Sequence, residues 1–135
     1  GVTHIIGSHP HVIQPMELRT DSITGAQHAV VYSLGNFISN MSKVNTDGGL
    51  IFTLELEKDT TTSTSPQVRV QRCGYNFVWT ARPNFTKEKN YVLYPTDSTS
   101  ISKLPEAARN HLNIFVKNSR KLLQQHNVGI KENKK

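Results

Sequence analysis

The chain carries six histidines, His4, His9, His11, His28, His111 and His126, and only His9 and His11 are closely spaced, in Gly7-Ser8-His9-Pro10-His11-Val12. Pro10 disfavours the helical region for the residue before it, which pushes His9 toward an extended conformation. Residues i and i+2 of an extended segment project to the same side, so the two imidazoles are expected to face one point. In a dinuclear centre the ions stand about 3.5–4 Å apart, and neighbouring same-side histidines can each take a different ion. The spacing alone is a weak signal, because composition by itself supplies about a quarter of one such pair. A metal site also needs further ligands, and the nearby carboxylates Glu17, Asp21 and Asp47 form no ligand-spaced cluster. Two surface or hydrogen-bonded histidines therefore stay open as the plainer alternative.

The elements that must position the pair read as short strands. Thr3 to Ile6 is β-branched and apolar and stops at Gly7, which delivers the histidines to the rim of a sheet. Met16 to Thr20 and Gln27 to Ser33 flank the turn-forming stretch Asp21-Ser22-Ile23-Thr24-Gly25, the pattern of a hairpin. Leu50, Phe52, Leu54 and Leu56 fall on one face with Thr53, Glu55 and Glu57 on the other, the period of two of a half-buried strand. The polar run 58–67 separates it from Val68 to Arg72 and reads as a long exposed hairpin loop. Tyr75 to Thr80 and Asn90 to Tyr94 suggest two more short strands, the first an aromatic one packing under a helix. From Leu104 to about His126 the period changes. Leu104, Ala108, Leu112, Phe115, Ser119 and Leu122 lay a mostly apolar stripe along one side of a helix, with Pro105 suited to its first turn and Gly129 to its stop.

With 135 residues, 36% hydrophobic and 19% charged, the chain holds one core and not two. No run approaches the roughly 18–20 apolar residues of a membrane span. The single thiol, Cys73, has no partner for an internal disulfide and reads as a small packed hydrophobe. The net charge of +6 is not spread evenly: residues 1–101 are neutral, with eight bases and eight acids, and the surplus lies in 102–135. No aromatic residues interleave with the bases of 117–135, which argues against a nucleic-acid surface. A solvated helix face followed by a disordered basic tail at 129–135 is the expectation.

Three ordered motifs resemble one family. They are Val2-Thr3-His4-Ile5-Ile6-Gly7-Ser8-His9-Pro10-His11-Val12-Ile13-Gln14-Pro15-Met16-Glu17, then Val31-Tyr32-Ser33-Leu34-Gly35-Asn36-Phe37-Ile38-Ser39-Asn40, then Gly48-Gly49-Leu50. Together they are similar to the capsule synthesis proteins of the poly-gamma-glutamate type, the CapA-like family. The stretches Tyr75 to Trp79 and Tyr91 to Pro95 look like that family's aromatic strand and the short strand after it, so the resemblance covers about residues 2–95.

That family is in turn similar to the calcineurin-like metallophosphoesterases, whose late motif places two histidines on two different ions. The resemblance therefore implies divalent metal ions, with His9 on one and His11 on the other. It also implies a location at the bacterial cell envelope, outside the cytoplasm. The early motifs of that superfamily, an Asp-x-His pair, a bridging Asp and an Asn-His pair, do not occur ahead of His9 and His11 in this sequence. Gly35-Asn36-Phe37 is not the Asn-His motif, since Phe37 stands where the histidine would be, and Asn36 reads as a hydrogen-bonded turn residue.

The expected fold class is α+β: a mostly antiparallel sheet in 1–101, a packing helix in 102–128 and the tail in 129–135. By resemblance this is the C-terminal half of a metallophosphoesterase-like α/β/β/α sandwich. Its partners would be the N-terminal half of the parent domain and an anionic capsule polymer. On that reading the parent is a capsule or poly-gamma-glutamate biosynthesis protein, a metal-dependent hydrolase by scaffold, and this chain alone is inactive. A non-catalytic envelope assembly protein and a basic adaptor acting through 117–135 are the alternatives.

Overall fold

The computed structural model describes residues 2–41, 43–61 and 67–133, the side chain of Gln67 excepted. Two sheets and a long helix enclose one core. The first sheet contains β1 (Ile5–Ile6), β2 (Met16–Thr20) and β3 (Gln27–Val31) in the order β1-β3-β2. β2 and β3 form the expected antiparallel hairpin, with Met16 opposite Val31 and Thr20 opposite Gln27. Asp21 closes its turn by accepting hydrogen bonds from the backbone N–H groups of Ile23 and Thr24.

β1 lies on the other side of β3 and runs parallel to it. The chain leaving β1 must therefore reverse and cross over the end of β3 before β2 can begin. Residues 7–15, which include both candidate histidines, make that crossing. The expected strand Thr3 to Ile6 shortens to two residues, and the segment before it is held by side chains instead: His4 Nδ1 accepts the Ala29 N–H at 3.1 Å, and His28 Nδ1 meets the Thr3 carbonyl at 3.0 Å.

The second sheet is built on two long strands, β4 (Gly48–Asp59) and β5 (Gln67–Ala81), paired antiparallel with a register shift between Glu55 and Leu56. β6 (Val92–Pro95) pairs antiparallel with the last residues of β5, and β7 (Lys131–Glu132) pairs parallel with Gly74 and Tyr75. The segments Val68 to Arg72 and Tyr75 to Thr80, expected as separate strands, are one. Gly74 does not interrupt the ladder, since it pairs with Thr53 and a side chain at this position would run into Asn133. The polar connection between β4 and β5 falls at 60–66, of which 62–66 lie outside the described residues.

Two short helices, α1 (Pro83–Thr86) and α2 (Ser98–Ser102), lead to α3 (Glu106–His126). α3 buries Ala108, Leu112, Phe115, Val116, Ser119 and Leu123 against Leu50, Tyr75, Phe77, Trp79 and Ala81 of the second sheet. Phe115 meets Phe77 edge-on at 6.3 Å. The inward stripe ends on Leu123, while Leu122 is half-buried, because four residues beyond Ser119 returns to the same face more closely than three. Ile13, Met16 and Val31 of the first sheet join the same cluster, so the two sheets share one core.

Of the expected disordered tail at 129–135, residues 130–133 are instead docked on the second sheet. Ile130 is 3% exposed, Lys131–Glu132 form β7, and Asn133 binds the Tyr75 carbonyl through its N–H and Asn76 through its side chain. Arg120 clamps Glu132 through two bonds of 2.8 Å while its guanidinium lies 5.6 Å from the centre of the Phe77 ring. A buried isoleucine and a bidentate ion pair outweigh the repulsion among the flanking lysines. Lys134 and Lys135 lie outside the described residues.

Candidate functional site

The crossing segment is fixed at its start by Gly7. Its N–H donates to the Val31 carbonyl at 2.7 Å and its carbonyl accepts the Leu34 N–H at 2.9 Å. A β-carbon on residue 7 would stand 2.5 Å from the Tyr32 carbonyl oxygen, so only glycine allows this approach. From there Ser8 Oγ donates to the Gly35 carbonyl at 3.3 Å, and Gln14 N–H returns to the Ser33 carbonyl at 3.1 Å. The histidines are thus carried on a loop whose two ends are bonded to residues 31–35.

Within that loop the backbone turns. Residues 9–12 form a turn and bend, and His11 adopts φ +62°, in the left-handed region. The extended conformation expected for His9 to His11 is therefore corrected, and the i, i+2 argument for two imidazoles on one side does not apply to it. The reason is topological: a parallel β1–β3 pair followed by an antiparallel β2 forces a reversal within nine residues, and the reversal falls on Pro10 and His11. Histidine is among the residues enriched at positive φ. Both His9 and His11 are solvent-exposed. They stand beyond the carboxyl ends of the parallel pair β1 and β3, the position at which open sheets with parallel strands commonly bind ligands.

His11 is oriented by a residue from the neighbouring segment. Its Nδ1 lies 2.8 Å from Oδ1 of Asn36, which is 6% exposed. The Asn36 amide nitrogen donates to the Thr46 carbonyl at 2.8 Å and lies 3.5 Å from Met41 Sδ. The Asn36 backbone N–H donates to the Gly48 carbonyl at 2.9 Å, and Gly35, at φ +79°, bridges Gly49. Residues 34–36 therefore form a seam between the two sheets, with the histidine loop on one side and the start of β4 on the other. No hydrogen bond to His9 is found among the described residues.

The other ionisable groups do not converge on this point. Asp47 accepts a bond of 2.9 Å from Trp79 Nε1, and its second oxygen is buried with no hydrogen-bond partner among the described residues. Glu17 accepts bonds from Arg19 and the Tyr32 hydroxyl, which hold its carboxyl below the usual range. No group of three or more His, Cys, Asp or Glu side chains capable of holding an ion occurs among the described residues. The donor set present is two exposed imidazoles, one of them with its Nδ1 engaged. Such a set fits part of a coordination shell for a divalent ion that takes nitrogen ligands, with the remaining ligands supplied from elsewhere.

Sequence reasoning named Asn36 as a hydrogen-bonded turn residue but did not connect it to His11. The two are 25 positions apart, and no local pattern reports that distance. The available signal was its place in Leu34-Gly35-Asn36, directly after a strong strand arm and a positive-φ glycine.

No helix among the described residues is long and apolar enough to cross a membrane. No curated protein and no solved structure matches the chain. Residues 1–41, which contain the first sheet, the crossing loop with both histidines, and Asn36, match the model of a family described as bacterial capsule synthesis protein PGA_cap, and over that stretch the chain is similar to that family.

Proposed function

We propose that this chain is the C-terminal part of a bacterial capsule synthesis protein acting at the cell envelope, in which His9 and His11 supply two ligands to a divalent metal site on a metallophosphoesterase-like scaffold. The observation that carries the reading is the coincidence of the family match over residues 1–41 with an exposed histidine turn beyond the ends of a parallel strand pair. Poly-gamma-glutamate or another anionic capsule polymer is the substrate class that the resemblance implies.

When bound, the ions would activate a water and stabilise negative charge developing on the scissile group. This chain's own residues orient the site. Gly7 and Gly35 allow the histidine loop and the 34–36 segment to approach, and Asn36 holds the His11 ring. Two imidazoles leave most of a shell to other residues. The missing Asp-x-His, bridging Asp and Asn-His groups would come from an N-terminal half of the parent domain.

The test is hydrolysis of a generic phosphodiester by the parent protein, stripped of metal with a chelator and reloaded with Zn²⁺ or Mn²⁺. Activity that returns with metal and is abolished by His9→Ala with His11→Ala supports the reading. Metal-restored activity unaffected by the double substitution contradicts the assignment of these histidines. A parent with its full metal complement and no turnover favours the non-catalytic assembly role.

A further inference from the structure

We infer that Asn36 is a positioning residue that locks His11 in the tautomer with the proton on Nδ1, leaving the Nε2 lone pair exposed for a divalent cation; the cation part rests on the metal reading above, and the tautomer does not. The Thr46 carbonyl can only accept. The Asn36 side-chain atom 2.8 Å from it must therefore be the amide nitrogen. A flipped amide would set two acceptors against each other in a site where Asn36 is almost fully buried. Oδ1 then faces His11, and an oxygen that can only accept requires a proton on Nδ1 at 2.8 Å. In the neutral ring Nε2 is left as the acceptor and ligand atom.

The lock is strong because Thr46 cannot drift. Its loop is tied at several points: the Thr80 hydroxyl donates to the Phe37 carbonyl and Arg82 to the Met41 carbonyl. Thr80 N–H donates to the Asp47 carbonyl at 2.8 Å, Trp79 Nε1 to the Asp47 carboxylate at 2.9 Å, and Asn118 of α3 to Asn45 at 2.9 Å. Thr46 itself is buried, with its hydroxyl on the Lys43 carbonyl at 2.7 Å. A ring nitrogen held by a fixed second partner is how metal-binding histidines are commonly oriented, and it makes the other nitrogen a better ligand. Here the second partner is an amide rather than a carboxylate, so it fixes the ring without adding charge.

The experiment is long-range ¹H–¹⁵N NMR of the labelled 135-residue chain at a pH where imidazole is neutral, with His9 as the internal comparison. The expected result is a protonated Nδ1 and an unprotonated Nε2 for His11, and the opposite, solution-favoured form for His9. A wild-type spectrum in which His11 carries its proton on Nε2 overturns the inference without any variant. Asn36→Leu, if folded, should return His11 to the His9 pattern; retention of the Nδ1 proton in a folded Asn36→Leu chain also overturns it. Where that variant does not fold, slow solvent exchange of the wild-type Nδ1 proton supports the lock, and fast exchange counts against it. Zn²⁺ added to the wild type should perturb Nε2 of His11 and leave its Nδ1 proton in place, and Asn36→Leu should weaken that binding by about 10- to 100-fold. Because two imidazoles bind weakly, the titration runs to millimolar Zn²⁺; an ion that still leaves His11 untouched while the Nδ1 proton is present defeats the cation part of the inference and leaves the positioning role standing.

Discussion

Gly7 has little freedom to be replaced, since a side chain there would meet the Tyr32 carbonyl just beyond the end of β3. Gly7→Ala should therefore destabilise the chain and displace the histidine loop, visible as altered amide shifts for residues 8–12 beside an unperturbed α3. Asp21 offers a pH test at the hairpin turn. Bonds from the Thr24 and Ile23 N–H groups hold its carboxyl below the ordinary aspartate range. A carboxyl whose folded value is depressed stabilises above its unfolded value and loses that contribution as pH falls through the folded one. The β2–β3 turn should therefore loosen below the ordinary aspartate range, with faster amide exchange at Ile23 and Thr24, and Asp21→Ala should remove that pH dependence. At this scale the sequence showed residue types better than partnerships. His9, His11 and Asn36 could each be named as candidates or turn residues, whereas the His11–Asn36 contact depends on a parallel strand pair that local patterns do not reveal.

α3 and β4 were legible because each carries a clean period, whereas β5 reads in the sequence as two strands broken near Gly74. The alternation survives over 50–55 and ends at the register shift, beyond which Leu56 is exposed, and the stripe through Ala108, Leu112, Phe115 and Ser119 is buried. Phe115 is almost wholly buried against Phe77, so Phe115→Ala should cost about 3–5 kcal/mol in a urea melt. A loss below about 0.5 kcal/mol would mean that the helix does not depend on this contact. β7 was not legible. Counting lysines in 129–135 gives a solvated tail, but the deciding residues are Ile130, which is buried, and Glu132, which pairs with Arg120. Ending the chain at Gly129 should therefore lower the thermal midpoint by several degrees, with Ile130→Ala reproducing most of the loss at about 2–5 kcal/mol. The ion pair contributes less, because both partners are partly exposed, and Glu132→Gln should cost no more than about 1 kcal/mol.

At the scale of the molecule, the α+β class follows from the change of period near residue 102, and the structure adds that one core joins both sheets to α3. The 34–36 segment is the mechanical link, bonded to the histidine loop, to Thr46 and to the first residues of β4. A site placed on such a seam is held by both sheets while His9 and His11 stay exposed. Two imidazoles without paired carboxylates leave a bound ion's charge poorly compensated, so this chain alone should hold Zn²⁺ or Mn²⁺ weakly and show no phosphoesterase turnover. The most direct test is metal content per chain after gel filtration, measured on this chain, on the parent protein, and on the parent carrying His9→Ala with His11→Ala. Little metal is expected on the chain alone, bound metal on the parent, and its loss in the double variant. Tightly held metal on the chain alone, or a parent whose metal content survives both substitutions, would contradict it.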